Sequence, residues 1–381
     1  MANGLRRCTP PDVGIAPYGR CARGLPPAAQ CSTLRPYTAF AMPPPPQPTT
    51  PAPPTADAAK IAAWAEAIRG GDSRALARGL SLVESGGPQA EALLKALFPH
   101  SGAAALIGVT GAPGAGKSTL VAELAAAYRH WGETVGILAV DPSSPFTHGA
   151  ILGDRIRMQR HHADPGVFIR SMATRGCLGG LAAATSEAAW MLDAAGRRRI
   201  LIETVGVGQD EVDIVQLADV TLLLLVPGMG DEVQALKAGV MEIADIFVIN
   251  KADRGAERLE QELRAILGLA HREDGWRPPI IPTVATEAKG IAELQAAIGA
   301  YLDFLAAEGR GAARRRRRWR QQLERMLRDR AYQTWVAPRL GAEDWERLAG
   351  DIESRRRDPF TLAEEILRSP AGAPPPAGRA T

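Results

Sequence analysis

The stretch Leu106–Leu120, LIGVTGAPGAGKSTL, restricts this chain more than any other part of it. A short apolar run (Leu106, Ile107, Val109) stops at a glycine-rich turn, and helix-prone residues follow. Gly111, Gly116, Lys117 and Ser118 have the spacing G-x-x-x-x-G-K-S, the pattern of a phosphate loop. Glycines let the backbone curl until successive N–H groups point into one concave nest at a helix N-terminus, where a polyphosphate is held. Gly111, Ala112, Pro113, Gly114, Ala115, Gly116, Lys117, Ser118 and Thr119 are therefore expected to cradle a nucleoside triphosphate. Lys117 would reach the β- and γ-phosphate oxygens, and the Ser118 hydroxyl would complete the shell of a Mg²⁺ ion.

Around this loop, short apolar or β-branched runs alternate with helical stretches. Candidate strands are Ile107–Val109, Val135–Val140, Val167–Ile169, Ile200–Ile202, Val220–Val226, Ile246–Ile249 and Ile280–Val284. Such alternation predicts an α/β fold, a mostly parallel sheet with helices on both faces and ligands outside the C-terminal strand ends. The 381 residues leave room for appendages to that domain. Residues 1–56 are Pro-rich without hydrophobic periodicity and read as a disordered leader. Its arginines against the single acid Asp12 resemble a transit peptide, which would place the protein in a mitochondrial matrix. An over-extended start, with Met42 as the initiator, is the preferred explanation, and a bland tail is the third. Residues 57–100 are expected to form a small helical domain, with Asp72 capping its second helix. The nucleotide domain is assigned to 101–305, a helical arm to 306–368 and a disordered tail to 369–381.

The net charge of +3 is too small, for this length, to argue for nucleic acid or membrane. No apolar run approaches the ~18–20 residues that span a bilayer. Three of the four cysteines (Cys8, Cys21, Cys31) fall in the leader and none is spaced for zinc, so a reducing, cytoplasmic setting is expected. The Arg314–Arg318 run with Trp319 suggests a phosphate-binding stripe, but a solvated helix face is the preferred reading. His148, His161 and His162 lack partners at metal-ligand spacing and are expected on the surface or in a switch.

A second signal follows the strand Ile246–Ile249: Asn250-Lys251-Ala252-Asp253, an N-K-x-D tetrad. The Asp253 carboxylate can accept from both N1–H and the exocyclic amine of guanine. Adenine offers neither, and a site built on such bonds rejects the analogue by roughly 10⁴–10⁵. GTP or GDP is thus the expected nucleotide, with Thr286 counted among the binding residues. Asp141, Asp154 and Glu203 end strands or loops beside the phosphate loop and are candidates, with Ser118, to hold Mg²⁺. Gly206 would approach the γ-phosphate, and Gln209 either orients the attacking water or only bonds to backbone. Lys117, Glu203 and Gln209 are the catalytic candidates.

Several longer segments carry a family resemblance: AVDPSSP (139–145), ILGDRIRM (151–158), FIRSMATRGCLGGL (168–181), IETVGVGQDE (202–211), PGMGDEVQALKAGVMEIADIFVINKAD (227–253) and DPFTLAEEIL (358–367). Together with GDSRALARGLSLVES (71–85), they resemble the methylmalonyl-CoA mutase-associated GTPases, the MeaB/ArgK-type members of the metallochaperone group of phosphate-loop GTPases. The resemblance implies a homodimeric GTPase chaperone for a cobalamin-dependent acyl-CoA mutase, methylmalonyl-CoA mutase foremost, that gates adenosylcobalamin loading, protection and reactivation. It also implies a mobile switch at Gly230–Lys237, with Asp231, Gln234 and Lys237 as switch residues, and a dimerisation role for the C-terminal arm. Ala235 stands where the family pattern has glycine, restricting the backbone there. Two alternatives are a metal-insertion GTPase, opposed by the missing ligand cluster, and an ATP-dependent transport-associated kinase, opposed by Asp253.

Overall fold

A computed structural model describes residues 56–141, 158–173, 180–204, 217–228, 244–269, 272 and 274–368. The leader, the tail, Asp154, Gly206, Gln209, Asp231, Gln234 and Lys237 lie outside the described residues.

All seven expected strands are present: β1 (Ala105–Gly111), β2 (Val135–Asp141), β3 (Val167–Ala173), β4 (Arg199–Glu203), β5 (Val220–Leu225), β6 (Ile246–Asn250) and β7 (Ile280–Thr283). They pair in parallel in the order β3-β2-β4-β1-β5-β6-β7. Parallel strands covered on both faces must be apolar on both, which is why β5 and β6 read as unbroken hydrophobic runs. Successive side chains point to opposite faces, and the burial follows that alternation. Ile107, Val109, Ile137, Leu201, Leu222, Leu224, Ile246 and Val248 share one core with α4 (Lys117–His130). Their neighbours Leu138, Ile200 and Ile202, and further along Leu223, Leu225, Phe247 and Ile249, serve cores on the other face.

That opposite face is covered partly by the N-terminal helices α1 (Ala56–Arg69), α2 (Ser73–Ser85) and α3 (Pro88–Leu97). Asp72 caps α2, accepting from the Arg74 N–H at 2.8 Å and the Ala75 N–H at 3.0 Å. Ile68, Leu76, Leu80, Leu93 and Leu97 are buried with Met191 and Leu192 of α5 (Gly180–Ala194), which lies directly on β2–β4. The helices α6 (Glu257–Leu269) and α7 (Ile291–Ala306) complete the two layers.

The arm follows as α8 (Arg310–Ala331), a π turn at Tyr332–Val336, α9 (Ala342–Glu353) and α10 (Pro359–Arg368). Here the expectation of a solvated arginine face needs correction. Arg314 pairs with buried Asp245 at 3.1 Å, and Arg318 pairs with Asp219 at 3.1 Å, each acid preceding a strand of the sheet. Trp319 sits 5.2 Å from Trp190 and 5.3 Å from Phe98, ring centroid to centroid, inside an intramolecular aromatic cluster. Only Arg315, Arg316 and Arg317 of the run are exposed. The first half of α8 is thus fastened to the end of the sheet opposite the phosphate loop.

Candidate functional site

The strands' C-terminal ends bring Gly111, Glu203 and Asn250 to one edge of the sheet, and the site is built on them. β1 ends at Gly111, which has φ 142° and lies so close to the Leu224 carbonyl that a Cβ would collide with it. The loop closes at Gly116, a left-handed residue at the N-terminus of α4 that presses against the Asn250 amide. Glycine is required at both positions for backbone reasons.

Lys117 opens α4, and its buried side chain folds back over the loop. Its ammonium donates to the Gly111 carbonyl at 2.7 Å and to the Ala112 carbonyl at 3.1 Å. A positive charge is thereby fixed above the backbone nest. The next residue, Ser118, donates to Glu203 Oε1 at 2.6 Å, and both side chains are about 5% exposed. Glu203 reaches this position because β4 pairs with β1 in a register that sets Glu203 beside Val109. A buried hydroxyl and carboxylate at the mouth of a phosphate loop are hard oxygen donors, the set a Mg²⁺ ion takes in small number beside phosphate oxygens. The residues present therefore fit the ion. Asp141 ends β2 beside β4, with its side chain outside the described residues.

Asn250, read from sequence as part of a base-recognition tetrad, is 2% exposed and holds the loop from behind. Its amide donates to the Ala115 carbonyl at 2.8 Å, while Oδ1 accepts from Thr283 Oγ1 at 3.2 Å and the Ala285 N–H at 3.1 Å. Lys251 adopts left-handed backbone angles (φ 56°, ψ 41°) and donates to the Gly114 carbonyl at 2.8 Å. The tetrad and the loop thus form one hydrogen-bonded unit. Sequence reading missed this bracing role, although an Asn closing an otherwise apolar strand was a signal for it.

Asp253 is exposed in the turn Ala252–Arg254, and Thr286 is exposed in the turn Ala285–Glu287. Lys289, beside Thr286's turn, has its pKa raised chiefly by a hydrogen bond to Glu287, with a lesser contribution from the Asp253 charge. Pro113 and Gly114 are open to solvent, Ala112 is half-buried, Ala115 is buried, and Thr119 is half-buried on α4. His161, expected at the surface, is instead buried, its Nε2 lying 2.9 Å from the Ala122 carbonyl of α4. His162 is exposed, and His148 lies outside the described residues.

Comparison with known proteins agrees with this geometry. Residues 76–339 match the family model described as methylmalonyl Co-A mutase-associated GTPase MeaB. A Pyrococcus abyssi relative named at the level of a GTPase is 49% identical over 311 residues, covering 81% of this chain and 96% of the relative. The methylmalonic aciduria type A homolog, mitochondrial, of Caenorhabditis elegans is 30% identical over 324 residues, covering 80% of this chain and 81% of its own. Among solved structures, the LAO/AO transport system kinase superposes with a TM-score of 0.62 at 28% identity, covering 81% of this chain and 96% of that one.

Proposed function

The chain belongs to the methylmalonyl-CoA mutase-associated GTPase family, and from that membership we propose that it is a Mg²⁺-dependent GTPase chaperone of a cobalamin-dependent acyl-CoA mutase, methylmalonyl-CoA mutase foremost. Its task in this reading is to gate adenosylcobalamin loading and to protect and reactivate the mutase, acting as a homodimer. One observation carries the guanine-nucleotide part: Asn250 and Lys251 fasten the base-recognition turn to the carbonyls of Ala115 and Gly114. Phosphate and base sites then move together, so binding the correct base fixes the phosphates in line for attack.

Hydrolysis proceeds by in-line attack of water on the γ-phosphorus, with charge building on the β–γ bridge and the equatorial oxygens. Lys117 and the loop N–H groups stabilise that charge from a preorganised position. Mg²⁺, when bound by Ser118 and Glu203 with Asp141 and Asp154 as further candidates, supplies charge neutralisation on the same oxygens. Asp253 selects guanine and Thr286 lines the base rim. Gly206 and Gln209 act on the γ-phosphate side, and Asp231, Gln234 and Lys237 form the switch through which the partner speeds turnover.

The deciding experiment is phosphate release from GTP by the purified chain, with and without methylmalonyl-CoA mutase, with ATP and an EDTA-treated sample as controls. GTP-specific, Mg²⁺-dependent release that the mutase stimulates is the expected result. Lys117→Ala should lower turnover by about 10²-fold or more. GTP turnover indifferent to the mutase would remove the partner from the proposal, and a preference for ATP would overturn the role given to Asp253.

A further inference from the structure

Glu203 must be held accurately against the phosphate loop if its carboxylate is to serve the same oxygens as Lys117 and Ser118. The backbone does only part of that. The ladder between β1 and β4 ends with the Thr204 N–H donating to the Val109 carbonyl at 3.0 Å. On its other edge β1 continues through Thr110 and Gly111 beside Leu223 and Leu224 of β5. Two hydroxyls add a side-chain contact to that backbone bond. Thr204 Oγ1 donates to Thr110 Oγ1 at 3.1 Å, with the Val109 carbonyl at 3.4 Å, and each threonine is 2% exposed.

The placement of this pair is specific. Thr110 is the residue before Gly111, whose carbonyl receives Lys117, and Thr204 is the residue after Glu203, which receives Ser118. The hydroxyl contact is therefore a cross-brace between the two main-chain segments that carry the lysine's acceptor and the carboxylate. Burial excludes water from competing for it, and a low local dielectric strengthens it. Threonine's branched Cβ limits χ1, so the hydroxyls are held in direction as well as in distance. A valine would fill the same space and lose the bond.

We propose that Thr204 and Thr110 form a positioning pair for GTP hydrolysis, setting Glu203 against the phosphate loop and thereby governing the cleavage step rather than nucleotide binding. Neither residue touches the reacting atoms. A shift of a fraction of an ångström in Glu203 would leave the base and phosphate contacts of Asn250, Lys251 and the loop in place, while spoiling the alignment that bond cleavage requires. The proposal rests on the GTPase activity and not on any mutase partner.

The experiment is steady-state GTP hydrolysis and fluorescent GDP affinity for the wild-type chain, Thr204→Val, Thr110→Val, the double variant and Thr204→Ser. Thr204→Val should lower kcat by about 10-fold to 100-fold with KM and GDP affinity within about twofold of wild type. Thr204→Ser, which keeps the hydroxyl, should recover most of kcat. The double variant should fall by less than the product of the two single losses, because the Thr204–Thr110 bond is common to both. Wild-type kcat in Thr204→Val, multiplying losses in the double variant, or a matching loss of GDP affinity would each overturn the pairing. If Thr204→Val fails to fold, Thr110→Val and Thr204→Ser carry the same test. A wild-type chain without GTP turnover would refute the GTPase assignment and this proposal with it, whereas an active wild type matched by Thr204→Val would refute the pairing alone.

Discussion

Glu187 on α5 has its carboxyl pushed up to about 7 by burial, against an ordinary glutamate value of 4.5. Among the described residues no cation or donor offsets that burial. The folded chain therefore holds this proton to higher pH than the unfolded chain, and stability falls as pH rises from the unfolded value through about 7. Glu187→Gln removes the charge without removing the shape. It should raise unfolding free energy by about 1–3 kcal/mol at pH 8 and change it little at pH 5, as read by denaturant melts at the two values. A gain of equal size at both pH values would show that the charge is not the cause. Asn250 is the contrasting case at this scale, a buried polar residue whose amide donor and carbonyl acceptor are both used. It costs nothing in burial and supplies the rigidity that joins the phosphate and base sites. The motif was legible in sequence because its residues are adjacent. Its bracing contacts were not, because they join positions 135 residues apart.

The strands were legible element by element because a doubly covered parallel strand carries its burial in its composition, and β5 and β6 are apolar throughout. The docking of α8 was not legible. An arginine run reads as a solvated face unless its acids are known, and Asp219 and Asp245 are distant in sequence and hidden before β5 and β6. His161 misled for the same reason, since a lone histidine gives no sign in sequence that its ring meets a helix carbonyl. Asp245 is the keystone of the α8 contact. It is 1% exposed, and it receives Arg272 at 3.1 Å, Arg314 at 3.1 Å and the Thr221 N–H at 3.0 Å. Asp245→Asn keeps the size but takes the buried counter-charge from Arg314 and leaves Arg272 with Asp274 alone, at 2.7 Å. Removing one partner of a buried ion pair costs about 3–5 kcal/mol, so thermal unfolding should drop by several degrees, and proteolysis should open the Arg310–Ala331 helix first. Arg314→Met, which removes one cation and leaves Arg272 in place, should cost less. An Asp245→Asn chain as stable as wild type would mean that the aromatic cluster and the Arg318–Asp219 pair hold the arm without it.

At the scale of the whole molecule, α8 divides into two halves with different surroundings. Its first half is tied down by Arg314, Arg318 and Trp319. Its second half carries Leu323, Met326 and Leu327 at 56%, 48% and 60% exposure, followed by Trp335 at 58%. Spacings of three and four residues place the first three on one helical stripe. An exposed apolar stripe of this kind marks an interaction surface, and in the homodimer proposed for this chain a second copy would cover it. The helix of 22 residues is long enough, at ~1.5 Å per residue, to hold such a contact away from the nucleotide site. Dimer formation should then be separable from basal hydrolysis. Leu323→Glu combined with Leu327→Glu places charges in the stripe without touching the arginine anchors or the aromatic cluster. Light scattering should show the molar mass of a single chain for this variant and twice that for the wild type, with GTP turnover per chain unchanged in the absence of partner. A wild-type chain that is already monomeric would leave the stripe to some other surface, and a charged variant that remains dimeric would move the dimer contact off α8.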